Sequence, residues 1–237
     1  MATVVLVRHG RTAANATGVL AGWTPGVALD ETGRAQAEAA AARLAPVPLA
    51  AVVASPLERT VETAQILVAG REPAVEIALD ERVAEPRYGD WTGRPLKDLA
   101  KDPLWKVVQA HPSAAVFPGD DGEGLAAMAA RAVTAVRDWD ARSEAAHGAD
   151  AVTVVVSHGD VIKAITADAL GLHLDGFQRL QVDPCSLTVI RYTPTRPFVV
   201  RTNDVGGAID ALLPPRKPAS RRRRRSGDAV VGGGAGD

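Results

Sequence analysis

The stretch AVTVVVSHGD, residues 151–160, decides how the rest of the chain is read. Ala151 to Val156 are apolar or β-branched with no polar alternation, the pattern of a strand covered on both faces. The run stops at Ser157-His158-Gly159-Asp160, and the helical pattern DVIKAITADALG follows at once. The same order occurs twice more. Thr3 to Arg8 reads as a buried strand that ends in Arg8-His9-Gly10-Arg11, and Leu49 to Ala54 as one that runs into SPLERTVETAQILVAG. Strands alternating with helices predict an α/β fold, here a three-layer α/β/α sandwich around a mostly parallel central sheet. Ligands of such sheets bind beyond the carboxyl ends of the strands. RHG, SPLERT and SHGD therefore converge, although RHG and SHGD lie about 150 residues apart.

The remaining elements follow from punctuation and period. A Gly-, Thr- and Pro-rich loop reaches Asp30, and a helix is predicted over 31–45, before Pro46. In the segment after the second strand, Ser55 is expected as N-cap, Pro56 as the first helical residue and Glu58 as the partner in a capping box, with Gly70 closing the helix. A short strand is predicted near Val75–Ala78. Residues 94–122 carry several prolines and the acidic turn GDDGEG. Residues 123–147 have helical period, with Leu125, Met128, Ala132, Val136 and Trp139 on one face. Together 94–147 are expected as a helical insertion above the C-terminal edge of the sheet. Ser186–Tyr192 and Phe198–Thr202 supply two last strands. The catalytic domain is expected over 1–213.

From residue 214 the chain reads PPRKPASRRRRRSGDAVVGGGAGD, a composition that cannot supply a core and is expected to be disordered. Residues 216–237 hold seven basic and two acidic residues, so the other 215 residues carry −6 of the total charge of −1. Nucleic-acid binding would have to rest on this tail alone, and the Arg221–Arg225 run reads first as solvated charge. No apolar run approaches the roughly 18 residues that a membrane span needs, and Met1 leads almost directly into a strand, so a cytoplasmic location is expected. Cys185 stands alone, which excludes a disulfide framework and a multi-cysteine metal site, and it reads as a core residue. A homodimer is an expectation left open.

The convergent groups are Arg8, His9, Asn15, Arg59 and His158, with Glu85 still to be placed. Two arginines offer donor forks that fit phosphate oxygens. Two histidines in a cationic pocket can hold different protonation states, one nucleophilic and one donating. A dianionic phosphate uses this set best, ahead of sulfate or a carboxylate.

Arg8-His9-Gly10 with Thr12 and Asn15, then Ser55 to Thr60 with Glu62-Thr63-Ala64, then Glu85-Pro86-Arg87-Tyr88-Gly89-Asp90-Trp91-Thr92-Gly93, and finally Ser157-His158-Gly159, resemble in order the signatures of the histidine phosphatase superfamily, which includes the cofactor-dependent phosphoglycerate mutases. The resemblance spans residues 3 to 165. It implies that His9 attacks phosphorus and becomes a phosphohistidine, while Arg8, Arg59 and His158 bind the equatorial oxygens. It further implies donors from Asn15, Thr12 and the Gly159 N–H, and Glu85 as the acid that protonates the leaving oxygen and then deprotonates water. No cofactor and no metal are implied, and an activity optimum somewhat below neutrality is expected.

Each role has a bland counterpart. Arg59 could be a surface charge, and Glu85 an ordinary glutamate like its neighbours Glu76 and Glu81. Asp160 is expected as a helix N-cap. His111, His147 and His173 are expected to be exposed or structural, and Arg11 to be a bystander. Gly22, Trp23 and Tyr88 are expected along the pocket, with packing as the alternative for the two aromatics. The favoured activity is hydrolysis of a small-molecule phosphate monoester. YGDWTG resembles the phosphatase branch, and residues 94–122 offer Arg94, Lys97, Lys101 and Lys106 without the adjacent arginine pair that mutases use. A phosphoglycerate mutase-type phosphotransferase is the alternative enzyme, and a non-catalytic phosphate-binding or scaffold protein is the alternative from another class.

Overall fold

The computed structural model describes residues 2–207 and Gly232. The buried apolar runs form strands β1 (Thr3–Arg8), β2 (Ala51–Ala54), β3 (Ile77–Leu79) and β4 (Val152–Ser157). Two more, β5 (Leu187–Tyr192) and β6 (Pro197–Asp204), complete a six-stranded sheet of order β3-β2-β4-β1-β5-β6. β1 pairs parallel with β4, and β2 parallel with both β3 and β4; β5 runs antiparallel to its neighbours β1 and β6. The sheet is thus mostly parallel, as expected.

Side-chain alternation gives the sheet two apolar faces. Val5, Val7, Val52, Ala54, Val154 and Val156 pack with Ala37, Leu44, Ala64 and Leu67 of helices α2 (Glu31–Leu44) and α3 (Glu58–Val68). These follow the short helix α1 (Ala13–Thr17). Val4, Leu6, Val53, Val155 and Ile190 face the opposite core, shared with α6 (Leu125–His147) and α7 (Gly159–Ala169). Between α3 and α6 in sequence lie α4 (Leu96–Leu99) and α5 (Pro103–Ala110), which add Leu99 and Val108 to that same core. Helix, sheet and helix layers are all present. Residues 125–147, expected as part of an insertion, form a face helix of the sandwich because Leu125, Met128, Ala132 and Val136 are wholly buried along it.

Two boundaries differ from expectation. α3 begins at Glu58, its N-cap is Leu57 and no side chain caps it, so the Ser55 capping box does not form. α7 begins at Gly159, its N-cap is His158, and Asp160 lies inside the helix rather than capping it. Both polar residues point to the site instead. Except for Gly232, the tail 214–237 lies outside the described residues. No helix among the described residues is long and apolar enough to cross a membrane.

Candidate active site

The carboxyl ends of β1, β2 and β4 lie side by side because Val7 pairs with Val156, Arg8 with Ser157, and Ala54 with Val156. His9 therefore follows β1 beside His158, which follows β4, and the ring centroids are 5.2 Å apart. Arg59, in the first turn of α3, and Glu85, in the loop after β3, reach the same point. All are buried, with Arg8 and His158 fully inaccessible.

His9 Nδ1 lies 2.7 Å from the Gly10 carbonyl. A carbonyl oxygen can only accept, so Nδ1 carries the proton and Nε2 keeps its lone pair. Burial, then the Arg59 guanidinium, then His158 and Arg8 push the His9 pKa well below the usual range. Gly10 N–H donates to Thr63 Oγ1 (3.1 Å), and Thr63 in turn donates to the Arg59 carbonyl (2.7 Å). One threonine of α3 thus ties the β1 loop to the helix that carries Arg59.

Arg59 Nη2 donates to the Gly22 carbonyl at 2.9 Å and to Glu85 Oε2 at 3.0 Å. Its Nη1 is buried and has no hydrogen-bond partner among the described residues. An orphaned guanidinium nitrogen is costly to bury and marks a place for an anion. Arg8 Nη1 donates to the Val182 carbonyl at 2.9 Å, and Nη2 to the Gly232 carbonyl at 3.4 Å. Gly232 of the C-terminal segment also donates its N–H to Asp160 Oδ2 at 3.0 Å.

Glu85 is tightly held. Oε2 lies 3.2 Å from His158 Nδ1, and Tyr88 OH lies 3.0 Å from Oε1. Burial raises the Glu85 pKa, but His158 and Arg59 outweigh it and hold the carboxyl down at about 2. His158 moves down to about 4, because burial outweighs the raising effect of Glu85. With Nδ1 facing the Glu85 carboxylate, His158 Nε2 takes the Ser55 hydroxyl at 2.8 Å.

The other expected residues separate. Thr12 caps α1, accepting from Asn15 N–H while its own hydroxyl donates to Asn15 Oδ1 at 3.0 Å, so its proton is spent within the cap. This cap leaves Asn15 Nδ2 as the amide donor. Gly159 is buried at the start of α7. Gly22 has φ +51° and supplies its carbonyl to Arg59. Trp23 Nε1 donates to the Glu85 carbonyl at 2.8 Å, and the Arg87 guanidinium lies 3.9 Å over the Trp23 ring. Arg11 turns away to Asp30 at 2.8 Å. His111 and His173 are exposed beside Asp175, His147 is exposed, and burial pushes the Cys185 thiol up to about 12.

Sequence reasoning missed the contacts of Ser55 and Asp160. A signal for Asp160 existed: it and Lys163 are charged residues three apart in a helix whose first nine residues are all buried. The ligating atoms of His9, Glu85 and His158 lie within 4.8 Å of one another, a spacing that a metal ion could also use. Two buried guanidinium groups beside them favour an anion.

Fold and geometry together define a class: an α/β protein with a histidine-containing anion pocket at the carboxyl edge of its sheet. The chain belongs to the histidine phosphatase superfamily (branch 1), whose family model matches residues 4–205. It is 34% identical over 188 residues to a glucosyl-3-phosphoglycerate phosphatase of Mycolicibacterium vanbaalenii, covering 73% of this chain and 76% of that one. It is 29% identical over 195 residues to a probable phosphoglycerate mutase, GpmB, of Photorhabdus laumondii, covering 81% and 86%. Among solved structures, Bacillus stearothermophilus YhfR matches with a TM-score of 0.77 and 29% identity over 87% of this chain and 98% of that one.

Proposed function

We propose that the protein is a metal-independent phosphomonoesterase that hydrolyses a small phosphorylated metabolite through a phosphohistidine on His9. The observation that carries this reading is the Nδ1–H bond of His9 to the Gly10 carbonyl, which leaves Nε2 unprotonated beside two buried arginines. His9 Nε2 attacks phosphorus in line, and the bond to the ester oxygen breaks. Arg8 and Arg59 stabilise the equatorial oxygens with charge already in place, the role that a metal ion fills elsewhere, and His158 adds a neutral imidazole beside them. Glu85 gives a proton to the ester oxygen as it leaves. It then takes one from the water that attacks the phosphohistidine, which releases inorganic phosphate and neutral His9.

The name of the Mycolicibacterium relative supports hydrolysis of a phosphoglycerate-type ester. Mutase transfer needs basic groups that hold the substrate between two phosphoryl positions, and Lys101 beyond the site is paired with Asp98 at 3.1 Å. The test is trapping. Labelled substrate quenched in alkali, where phosphohistidine survives, is expected to leave label on wild type and none on His9→Ala. The variant is expected to lose about 10³-fold or more in kcat. Equal turnover by His9→Ala would overturn the reading, and conversion of 3-phosphoglycerate to 2-phosphoglycerate without phosphate release would replace it by the mutase.

A further inference from the structure

The Tyr88 hydroxyl sits between two buried carboxylates, 3.0 Å from Glu85 Oε1 and 3.1 Å from Asp160 Oδ2. A phenol has one proton, and an ionised carboxylate has none to give. With both carboxylates ionised, one of these two contacts would be oxygen lone pair against oxygen lone pair. A second proton on the chain satisfies both contacts, in either of two directions. It can run from Asp160 through Tyr88 to Glu85, or from Glu85 through Tyr88 to Asp160.

We propose that Asp160 is a positioning residue that stores a proton for Glu85 and exchanges it through the Tyr88 hydroxyl. The proposal rests on the reading of Glu85 as general acid. As the Asp160 proton moves to the Tyr88 oxygen, the phenolic proton of Tyr88 moves to Glu85. Glu85 passes a proton to the ester oxygen as the P–O bond breaks, leaving Asp160 and Glu85 both ionised. The attacking water then returns a proton to Glu85, and the chain carries it back to Asp160. Ester dianion and water become alcohol and hydrogen phosphate dianion, and the protein ends as it began.

The surroundings support one stored proton. Asp160 faces Tyr88, the Gly232 N–H at 3.0 Å on Oδ2, and Lys163 Nζ at 3.7 Å from Oδ1, an oxygen with no hydrogen bond among the described residues. Arg8 and Glu85 act on it from β1 and the loop after β3. Lys163 itself donates to Gln178 at 2.9 Å. Burial raises the Asp160 pKa against the opposing pull of Lys163, and burial likewise keeps the Tyr88 phenol protonated. Once a phosphate dianion enters, Arg8, Arg59 and Lys163 face two carboxyls and two phosphate charges. One retained proton restores neutrality in a pocket where unbalanced charge is costly.

Two matched esters test this. The phenolate of phenyl phosphate is a poor leaving group that needs protonation, whereas p-nitrophenolate leaves unaided. The measured quantity is the ratio of kcat/KM for phenyl phosphate to that for p-nitrophenyl phosphate, in wild type, Asp160→Asn, Tyr88→Phe and Glu85→Gln. The ratio is expected to fall about fivefold to tenfold in Asp160→Asn and Tyr88→Phe, and roughly 100-fold in Glu85→Gln. In Asp160→Asn, which removes a carboxyl group from beside Glu85, the alkaline limb of the phenyl phosphate profile is also expected to move to lower pH. A ratio that falls in Glu85→Gln but holds in the other two, or an equal loss on both esters in those two, overturns the relay and leaves Glu85 as the acid. A ratio unmoved in Glu85→Gln overturns the reading of Glu85 itself. If Asp160→Asn does not fold, Tyr88→Phe decides.

Discussion

His9 Nδ1 lies 2.7 Å from a backbone carbonyl, and His158 Nδ1 lies 3.2 Å from the Glu85 carboxylate. These partners assign different work to two imidazoles in one pocket. His9 is kept neutral by burial and by the cations around it, so its own titration limits the rate only well below pH 6.5. In the proposed mechanism Glu85 sets the other limb. Without substrate, Arg59 and His158 hold it ionised, with a pKa near 2. A bound dianion draws on Arg59 and adds negative charge beside the carboxyl, and both effects raise the Glu85 pKa in the complex. The acid form is required, so kcat is expected to stay flat at acid pH and to fall as pH rises through that raised value. In Glu85→Gln this limb is expected to disappear from phenyl phosphate turnover. A wild-type kcat that climbs steadily up to pH 9 would contradict the assignment.

Elements bring these residues to their places through close backbone contacts as well as through side chains. α2 starts against the loop after β1: the Asp30 N–H donates to the Arg11 carbonyl at 3.0 Å, and Gln36 accepts from the Arg11 N–H at 3.0 Å. A Cβ on Gly33 would fall 2.1 Å from the Arg11 carbonyl oxygen, and one on Gly10 would fall 2.4 Å from that of Gly33. Gly33→Ala is therefore expected to push the loop off α2, costing about 3 kcal/mol. For a chain of this size that lowers Tm by roughly 6–12 °C. It should also lower kcat, since the Gly10 carbonyl sets the His9 tautomer, and a variant that melts with wild type would refute the contact. The strands were legible because uninterrupted Val-rich runs have few other uses, and the loaded tripeptides at their ends followed from the sheet rule. The starts of α3 and α7 were not. A serine or aspartate before an apolar run reads as a cap, and only the tertiary fold shows Ser55 turned to His158 and Asp160 turned to Tyr88. The tightness at Gly33 was likewise invisible, because a glycine carries no side-chain signal and its neighbour here lies 22 residues away.

At the scale of the whole molecule, the sheet order puts β1 and β4 at its centre, so residues far apart in the chain meet there. The C-terminal segment joins them at one described residue. Gly232 accepts from Arg8 Nη2 at 3.4 Å and donates to Asp160 at 3.0 Å, so its peptide groups use two polar residues of the candidate site. Composition marked this segment only as unable to form a core, and a lone glycine in it gave no sign of a destination. A phosphate that needs Arg8 must displace the Gly232 carbonyl, and apparent affinity falls with the fraction of molecules in which that carbonyl is in place. A chain ending at residue 213 is therefore expected to show a KM about two- to tenfold lower than the full chain. Its kcat should be unchanged, because Gly232 has left before chemistry begins. Gly232→Ala should move KM in the same direction, since that residue has φ +76° and an added Cβ would lie 3.0 Å from Leu20 Cδ1. Steady-state kinetics on the three forms with p-nitrophenyl phosphate is the measurement. A KM that stays equal or rises on truncation would show that Gly232 does not compete with substrate for Arg8.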